Sequence, residues 1–249
     1  MNQNIAIGAD VGGSHISCAA VDLSSGKVLK NTLSEREVNN KGQAMEILTT
    51  WVSCVKESIS RLPAPDIKGI GFAMPGPFDY VKGISYIKGV AKYENLYGFN
   101  IGDAVLSMIN APHEIDIRFM NDASSFAVGE AWAGKGAGYN KMMCITLGTG
   151  FGSAFIEDKV PVVDGPLVPR IGCVYHLPYK DGIADDYFST RWFTGAYKAI
   201  TGKELKGVKE LALLADSEKA VMDLFTSFGD DLGGFLAPWL KKFGAEILV

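Results

Sequence analysis

The stretch Asp10-Val11-Gly12-Gly13-Ser14 has a counterpart much later in the chain, Thr149-Gly150-Phe151-Gly152-Ser153. Each lies between the first and second members of a group of three strand-like runs: 4–10, 15–22 and 27–33, then 141–147, 151–156 and 160–163. Taken alone, either turn reads as an ordinary hairpin, because glycine tolerates the positive φ that such turns demand. Two glycine–hydroxyl turns at matching places are hard to explain as unrelated hairpins. They constrain the chain to an internal duplication, with two similar lobes that aim their turns at one ligand in a cleft between them. The pair then reads as a phosphate cradle, in which glycines let backbone N–H groups approach an anion.

Between the strand groups the period changes. Ala44, Ile47, Leu48, Trp51, Val55, Ile59 and Leu62 recur at helical spacing, with Glu46, Ser53, Lys56, Glu57 and Ser60 on the other face. Pro63 and Pro65 stop that helix. A buried strand over 67–73 and a helix over 101–109 follow. A strand over 114–120 and a helix over 123–133 open a second round. Helical periodicity dominates after about Asp185, and one more strand begins at Glu246. The domains expected are 1–118, carrying the first turn, and 119–249, carrying the second.

Composition excludes several function classes. The 24 basic and 28 acidic residues give a net charge of −4 over 249 residues, with no basic block, which argues against a nucleic-acid partner. Cys18, Cys54, Cys144 and Cys173 are scattered without a C-x-x-C pair, the pattern of a reduced compartment. No charged-then-apolar leader and no bilayer-length apolar run stand out, so a cytoplasmic protein without a membrane partner is expected.

Two turns gripping a polyphosphate call for a cation, and Asp10 is the acid placed to meet Mg²⁺, which takes one or two carboxylates along with phosphate oxygens. The competing reading is that Asp10 caps its own turn. Phosphoryl transfer also needs an acceptor for a hydroxyl proton. Asp122 follows a strand and opens a helix, which puts its carboxylate at a strand's C-terminal end. Helix capping is the competing reading there, since Asp and Asn both favour N-caps. Cys173 and His176 form a weak zinc signal, because a structural site needs four ligands, and His15 and His113 belong elsewhere. No bound zinc is expected, and 179–184 should be a plain loop.

Together these motifs resemble those of the ROK sugar kinases, a branch of the actin-like ATPase superfamily. Asp10-Val11-Gly12-Gly13-Ser14 is similar to the first phosphate motif, D-x-G-G-T. The run from Gly69 to Pro77 is similar to the sugar-loop signature G-I-G-x-x-x-P-G. Asn121-Asp122-Ala123 with Gly129-Glu130-Ala131 resembles N-D-A…G-E-A, and Leu147-Gly148-Thr149-Gly150-Phe151-Gly152-Ser153 resembles L-G-T-G-x-G-G. The resemblance covers nearly the whole chain in order. It implies an α/β fold of two ribonuclease-H-like lobes and an ATP- and Mg²⁺-dependent kinase acting on a hexose or N-acetylhexosamine. Asp122 would be the catalytic base, with Gly76, Asn121, His176 and Asp185 as further sugar-binding positions. Asp10 would lie nearest Mg²⁺, indirectly, while Gly12, Gly13, Ser14, Gly148, Thr149 and Gly150 line the ATP phosphates. Sugar and ATP are the partners expected, with homodimerisation a further possibility of the family.

The departures are specific. Cys173 stands where the resemblance places a sugar-binding glutamate, His15 replaces a lysine, and the cysteines of the family's zinc loop are missing. An adenine-side glycine cluster would follow Val249, so the second domain reads as incomplete at its C-terminus. Cys173 also motivates an alternative from another class, a sugar-binding sensor with weakened turnover.

Overall fold

Period-two burial builds the first strands. In the computed structural model, which describes residues 4–63, 67–90, 92–110 and 115–249, strand β1 (Ile5–Val11) buries Ile5, Ile7, Ala9 and Val11. Strand β2 (His15–Asp22) buries Ile16, Cys18 and Ala20 and pairs antiparallel with β1, from Ile5↔Asp22 to Val11↔Ile16. Pro65, His113 and the first residue of the strand expected over 114–120 lie outside the described residues.

Strand β3 (Lys27–Glu37) is longer than its apolar run implies. Ser34–Glu37 continue the ladder opposite Cys18–His15, after an irregularity between Cys18 and Ala20. The Thr32 hydroxyl bridges that irregularity, accepting from Ala20 N–H at 2.8 Å and donating to the Leu29 carbonyl at 2.6 Å. This is the open edge of the sheet, so its polar residues keep one face in water and hide the strand from a hydropathy pattern.

Helix α1 (Ala44–Ser60) follows and packs the predicted stripe, including Ile47, Leu48, Trp51 and Val55, against β2 and β3. Strand β4 (Ile67–Met74) then lies parallel to β1. A small ribbon, β5 (Phe78–Asp79) and β6 (Ile84–Ser85), precedes helix α2 (Ile101–Ile109). The strand expected to open a second round, β7 (Asp116–Asn121), instead pairs in parallel with β4 from Gly69↔Asp116 to Met74↔Asn121. It completes the first sheet, in the order β3-β2-β1-β4-β7. The physical reason is the crossover: parallel neighbours need a long connection, and α2 supplies it. Helix α3 (Asp122–Ala133) begins directly after β7.

The chain divides into two compact units, Met1–Ser125 and Phe126–Val249. The second repeats the opening of the first. Strands β8 (Lys141–Leu147), β9 (Phe151–Glu157) and β10 (Val160–Pro161) form an antiparallel meander. After the helical region, strand β13 (Ile247–Leu248) joins β8 in parallel, giving the order β10-β9-β8-β13. The intervening elements are β11 (Pro178–Tyr179), β12 (Gly182–Ile183), α4 (Ala184–Tyr187), α5 (Thr190–Thr201), α6 (Val208–Ala212) and α7 (Lys219–Phe243). Phe151, Phe188, Phe193 and Phe228 centre this unit's core, with Phe193 and Phe228 rings 4.5 Å apart.

The plain loop expected over 179–184 is a hairpin. Pro178 pairs with Ile183 and Tyr179 with Gly182, and Lys180 takes a left-handed φ of 51° at the turn. Tyr179 packs against Tyr187, Phe188 and Phe235, and the Lys180 ammonium meets Asp231 of α7 at 2.6 Å. Aromatic packing and an ion pair thus order the segment where a plain loop was expected. Among the described residues, no helix is long and apolar enough to cross a membrane.

Candidate active site

In the first unit, parallel pairing gathers the expected residues at one edge. Asp10 is in register with Ala73, and Met74 with Asn121, so Asp10, the segment after β4 and the Asn121-Asp122 pair share the C-terminal ends of adjacent strands. The turn after β1 is closed by a Gly12 N–H bond to the His15 carbonyl at 2.9 Å. Neither Gly12 nor Gly13 adopts the positive φ that a hairpin reading assigns to them. Space at Gly12 is tight instead. A Cβ there would come within 3.1 Å of the His15 ring and 3.2 Å of its carbonyl oxygen.

The carbonyls of this turn are held from behind. Gly12 O accepts from the Tyr93 hydroxyl at 2.6 Å, and Gly13 O accepts from the Asn40 side-chain amide. In a trans peptide the N–H points opposite the C=O. The Gly13 and Ser14 N–H groups therefore face away from these anchors, and neither donates to any described residue. A Cβ on Gly13 would meet nothing within 4 Å. Free donors around open space are chemically suited to an anion.

Asn121 and Asp122 divide the labour that the sequence left open. The Asn121 side-chain oxygen accepts from Ser124 N–H at 3.2 Å, the capping bond of α3. Its Nδ2 donates to Asp122 Oδ1 at 2.9 Å and to the Tyr80 hydroxyl at 3.3 Å. Asp122 Oδ1 also accepts from Ala123 N–H at 2.9 Å, while Oδ2 has no hydrogen-bond partner among the described residues. Tyr80 extends the chain of contacts to the segment after β4, donating to Met74 O at 3.2 Å and lying 3.3 Å from where a Gly76 Cβ would be.

Part of Asp10 stays open to water, yet the surrounding protein removes enough of it to push its carboxyl above the usual carboxylate range. The negative charge of Asp122 pushes in the same direction, and His15 opposes it. Two carboxylates that destabilise each other suit a cation. Among the described residues, no group of three or more His, Cys, Asp or Glu stands together as a metal cage. A carboxylate in this setting suits Mg²⁺, which takes one or two carboxylates along with phosphate oxygens.

In the second unit the equivalent turn follows the same rule. Gly148 O accepts from Thr190 N–H, the first residue of α5, at 2.8 Å, so Thr149 N–H faces the other way and donates to no described residue. Gly148 N–H closes the turn on Gly150 O at 3.1 Å, and a Cβ on Gly148 would meet nothing within 4 Å. Asp185 braces it. One carboxylate oxygen accepts from Phe151 N–H at 2.6 Å and the other from Arg191 at 2.6 Å. A carboxylate has about four lone-pair sites, so this bracing leaves Asp185 with acceptor capacity to spare.

Cys173 follows two left-handed residues, Ile171 (φ 60°) and Gly172 (φ 62°). A Cβ on Gly172 would come within 2.3 Å of Val162 O, so only glycine fits there. The Cys173 Sγ lies 3.8 Å from His176 Nδ1, and both residues are half-buried. Burial pushes the Cys173 thiol up to about 11. Alkylation by iodoacetamide, read by peptide mass spectrometry, is expected to run about 10²-fold slower at pH 8 than for a free thiol and to accelerate up to pH ~11. An inflection near pH ~8.5 would contradict that environment.

Sequence reasoning missed Tyr93, Asn40, Tyr80 and Arg191, which hold these groups in place. None carries a local signal, because each acts on a partner set by the fold.

The model of the ROK family matches residues 6–175. The N-acetyl-D-glucosamine kinase of Pectobacterium carotovorum subsp. carotovorum is 24% identical, over 97% of this chain and 81% of its own length. The ROK hexokinase from Thermus thermophilus superposes with a TM-score of 0.76 at 19% identity, covering 98% of this chain and 80% of that one. A ROK family glucokinase from Streptomyces griseus, solved with glucose and AMPPNP, gives a TM-score of 0.72 at 20% identity, covering 98% of this chain and 82% of that one.

Proposed function

This chain belongs to the ROK family, and from that membership we propose that it transfers the γ-phosphoryl group of ATP to a hydroxyl of a hexose or N-acetylhexosamine. The observation that carries the reading is the division of labour at the start of α3. Asn121 caps the helix, so Asp122 keeps a carboxylate oxygen free beside Asp10. In this reading Asp122 Oδ2 takes the proton of the sugar hydroxyl as that oxygen bonds to the γ-phosphorus and the bond to the bridging oxygen of ADP breaks. The Gly13, Ser14 and Thr149 N–H groups hold phosphate oxygens. Asp10 is the residue that would hold Mg²⁺, which would supply neutralisation of the phosphate charge. Gly76, Asn121, His176 and Asp185 are the further sugar-facing positions.

Names of relatives support the two sugar classes. One relative is an N-acetyl-D-glucosamine kinase and one structural neighbour a glucokinase. A coupled ADP-release assay over a panel of hexoses and N-acetylhexosamines tests the proposal. Mg²⁺-dependent turnover on at least one of them is expected. Tight sugar binding by calorimetry with no ADP release on any sugar would overturn it in favour of a sensor.

A further inference from the structure

We infer that Tyr93 is a positioning residue for the first turn: its hydroxyl fixes the Gly12–Gly13 peptide with the N–H outward, towards the phosphate. The inference rests on the phosphate-binding reading proposed above, and extends it to a residue 81 positions away in sequence.

Tyr93 is fully buried and donates to Gly12 O at 2.6 Å. Its ring packs edge-to-face on Trp51, with centroids 5.4 Å apart and planes at 68°. Its backbone takes a left-handed φ of 57°, a conformation bulky residues seldom adopt. Its own N–H donates to Asn40 O at 2.7 Å, and the Asn40 side chain in turn holds Gly13 O. Two segments, joined to each other by that backbone bond, therefore secure the two carbonyls of the turn.

The direction of the peptide matters because the turn offers an anion either partial positive N–H or partial negative C=O. Flipping the Gly12–Gly13 peptide would aim a carbonyl at the phosphate and leave the buried phenol without its acceptor, and glycine on both sides makes such a flip sterically open. A hydroxyl that only filled the core would be satisfied by any acceptor. This one is bonded to the carbonyl whose orientation sets the charge presented. Burial also pushes the phenol up to about 12, so it remains a donor at any physiological pH. Trp51 opposes part of that rise.

Tyr93→Phe removes the donor and keeps the ring on Trp51. Without ligand, the Gly13 amide signal in ¹H–¹⁵N spectra is expected to move. Affinity for Mg²⁺-tripolyphosphate by calorimetry should fall about tenfold, the scale of one lost buried hydrogen bond. KM for ATP should rise similarly, with kcat and the sugar KM within about twofold of wild type. Unmoved Gly13 signals, or tripolyphosphate affinity within about twofold of a binding wild type, would overturn the inference. If the wild type binds no tripolyphosphate while the Gly13 signal still moves in the variant, the phosphate reading fails and the hold of Tyr93 on the peptide stands. Asn40→Ala gives a milder second case should Tyr93→Phe not fold. It frees Gly13 O, so the Ser14 amide signal should move more than that of Gly13, and the reverse order would count against the inference.

Discussion

Asp122→Asn is expected to cut turnover by at least ~10²-fold while sugar affinity changes little, because a positioned general base contributes about 10²–10⁴-fold. Asparagine is nearly isosteric and keeps an oxygen for the Ala123 N–H and Asn121 Nδ2 bonds that Oδ1 now accepts. What it loses is the capacity of the free oxygen to take a proton at neutral pH. A capping role predicts a near-silent change, since Asn and Asp cap about equally well. The structure sharpens that contrast by giving the capping bond to Asn121. Loss of a cap therefore does not enter, and Asp122→Asn should raise the melting temperature at pH 7 only by the share of the Asp10 strain that the Asp122 charge supplies. Turnover within a fewfold of wild type on the best sugar would remove Asp122 from the mechanism.

Asp10→Asn is expected to act in two directions at once. At fixed Mg²⁺ it should lower turnover by at least ~10²-fold, since a cation at the phosphates is worth several kcal/mol of transition-state stabilisation and each ~1.4 kcal/mol is tenfold. Raising Mg²⁺ should recover part of the loss. Without ligands the same variant should melt at a higher temperature at pH 7. Burial and the Asp122 charge raise the folded-state pKa of Asp10 above its unfolded value, so the folded state binds the proton more readily. For such a group, stability falls as pH rises through the window between the two values, and the charged form carries the full penalty above it. Asparagine carries none. The gain should therefore shrink as pH falls through the folded-state value towards the unfolded one, ~3.9. A lower melting temperature at pH 7 would show that the two carboxylates do not strain each other. Unchanged Mg²⁺ dependence would free Asp10 from the cation.

The two variants separate the parts of the site. Asp122→Asn should leave the Mg²⁺ requirement in place and raise the melting temperature less than Asp10→Asn, which relieves the burial cost as well as the repulsion and also shifts the Mg²⁺ requirement. A site in which Asp10 merely caps its turn would show neither the Mg²⁺ shift nor the activity loss.

What the sequence determined by itself was carried by local rules. Alternation of apolar residues made β1 and β2, helical spacing made α1 and α2, and glycines with a hydroxyl between paired strands marked both turns. Those signals need only neighbours along the chain, and the order of motifs was enough for the family. The tertiary structure alone decided which sheet takes β7, because parallel pairing joins strands that a helix separates in sequence. It also gave the α3 cap to Asn121 rather than Asp122, extended β3 through polar residues, and turned 178–183 into a hairpin tied to α7. The hold on the two turns was equally invisible. Tyr93 reaches Gly12 across 81 residues and Asp185 reaches Phe151 across 34. A hydrogen bond depends on where its partner arrives in space, and for these residues that place is set by packing of the whole unit, which no local period encodes.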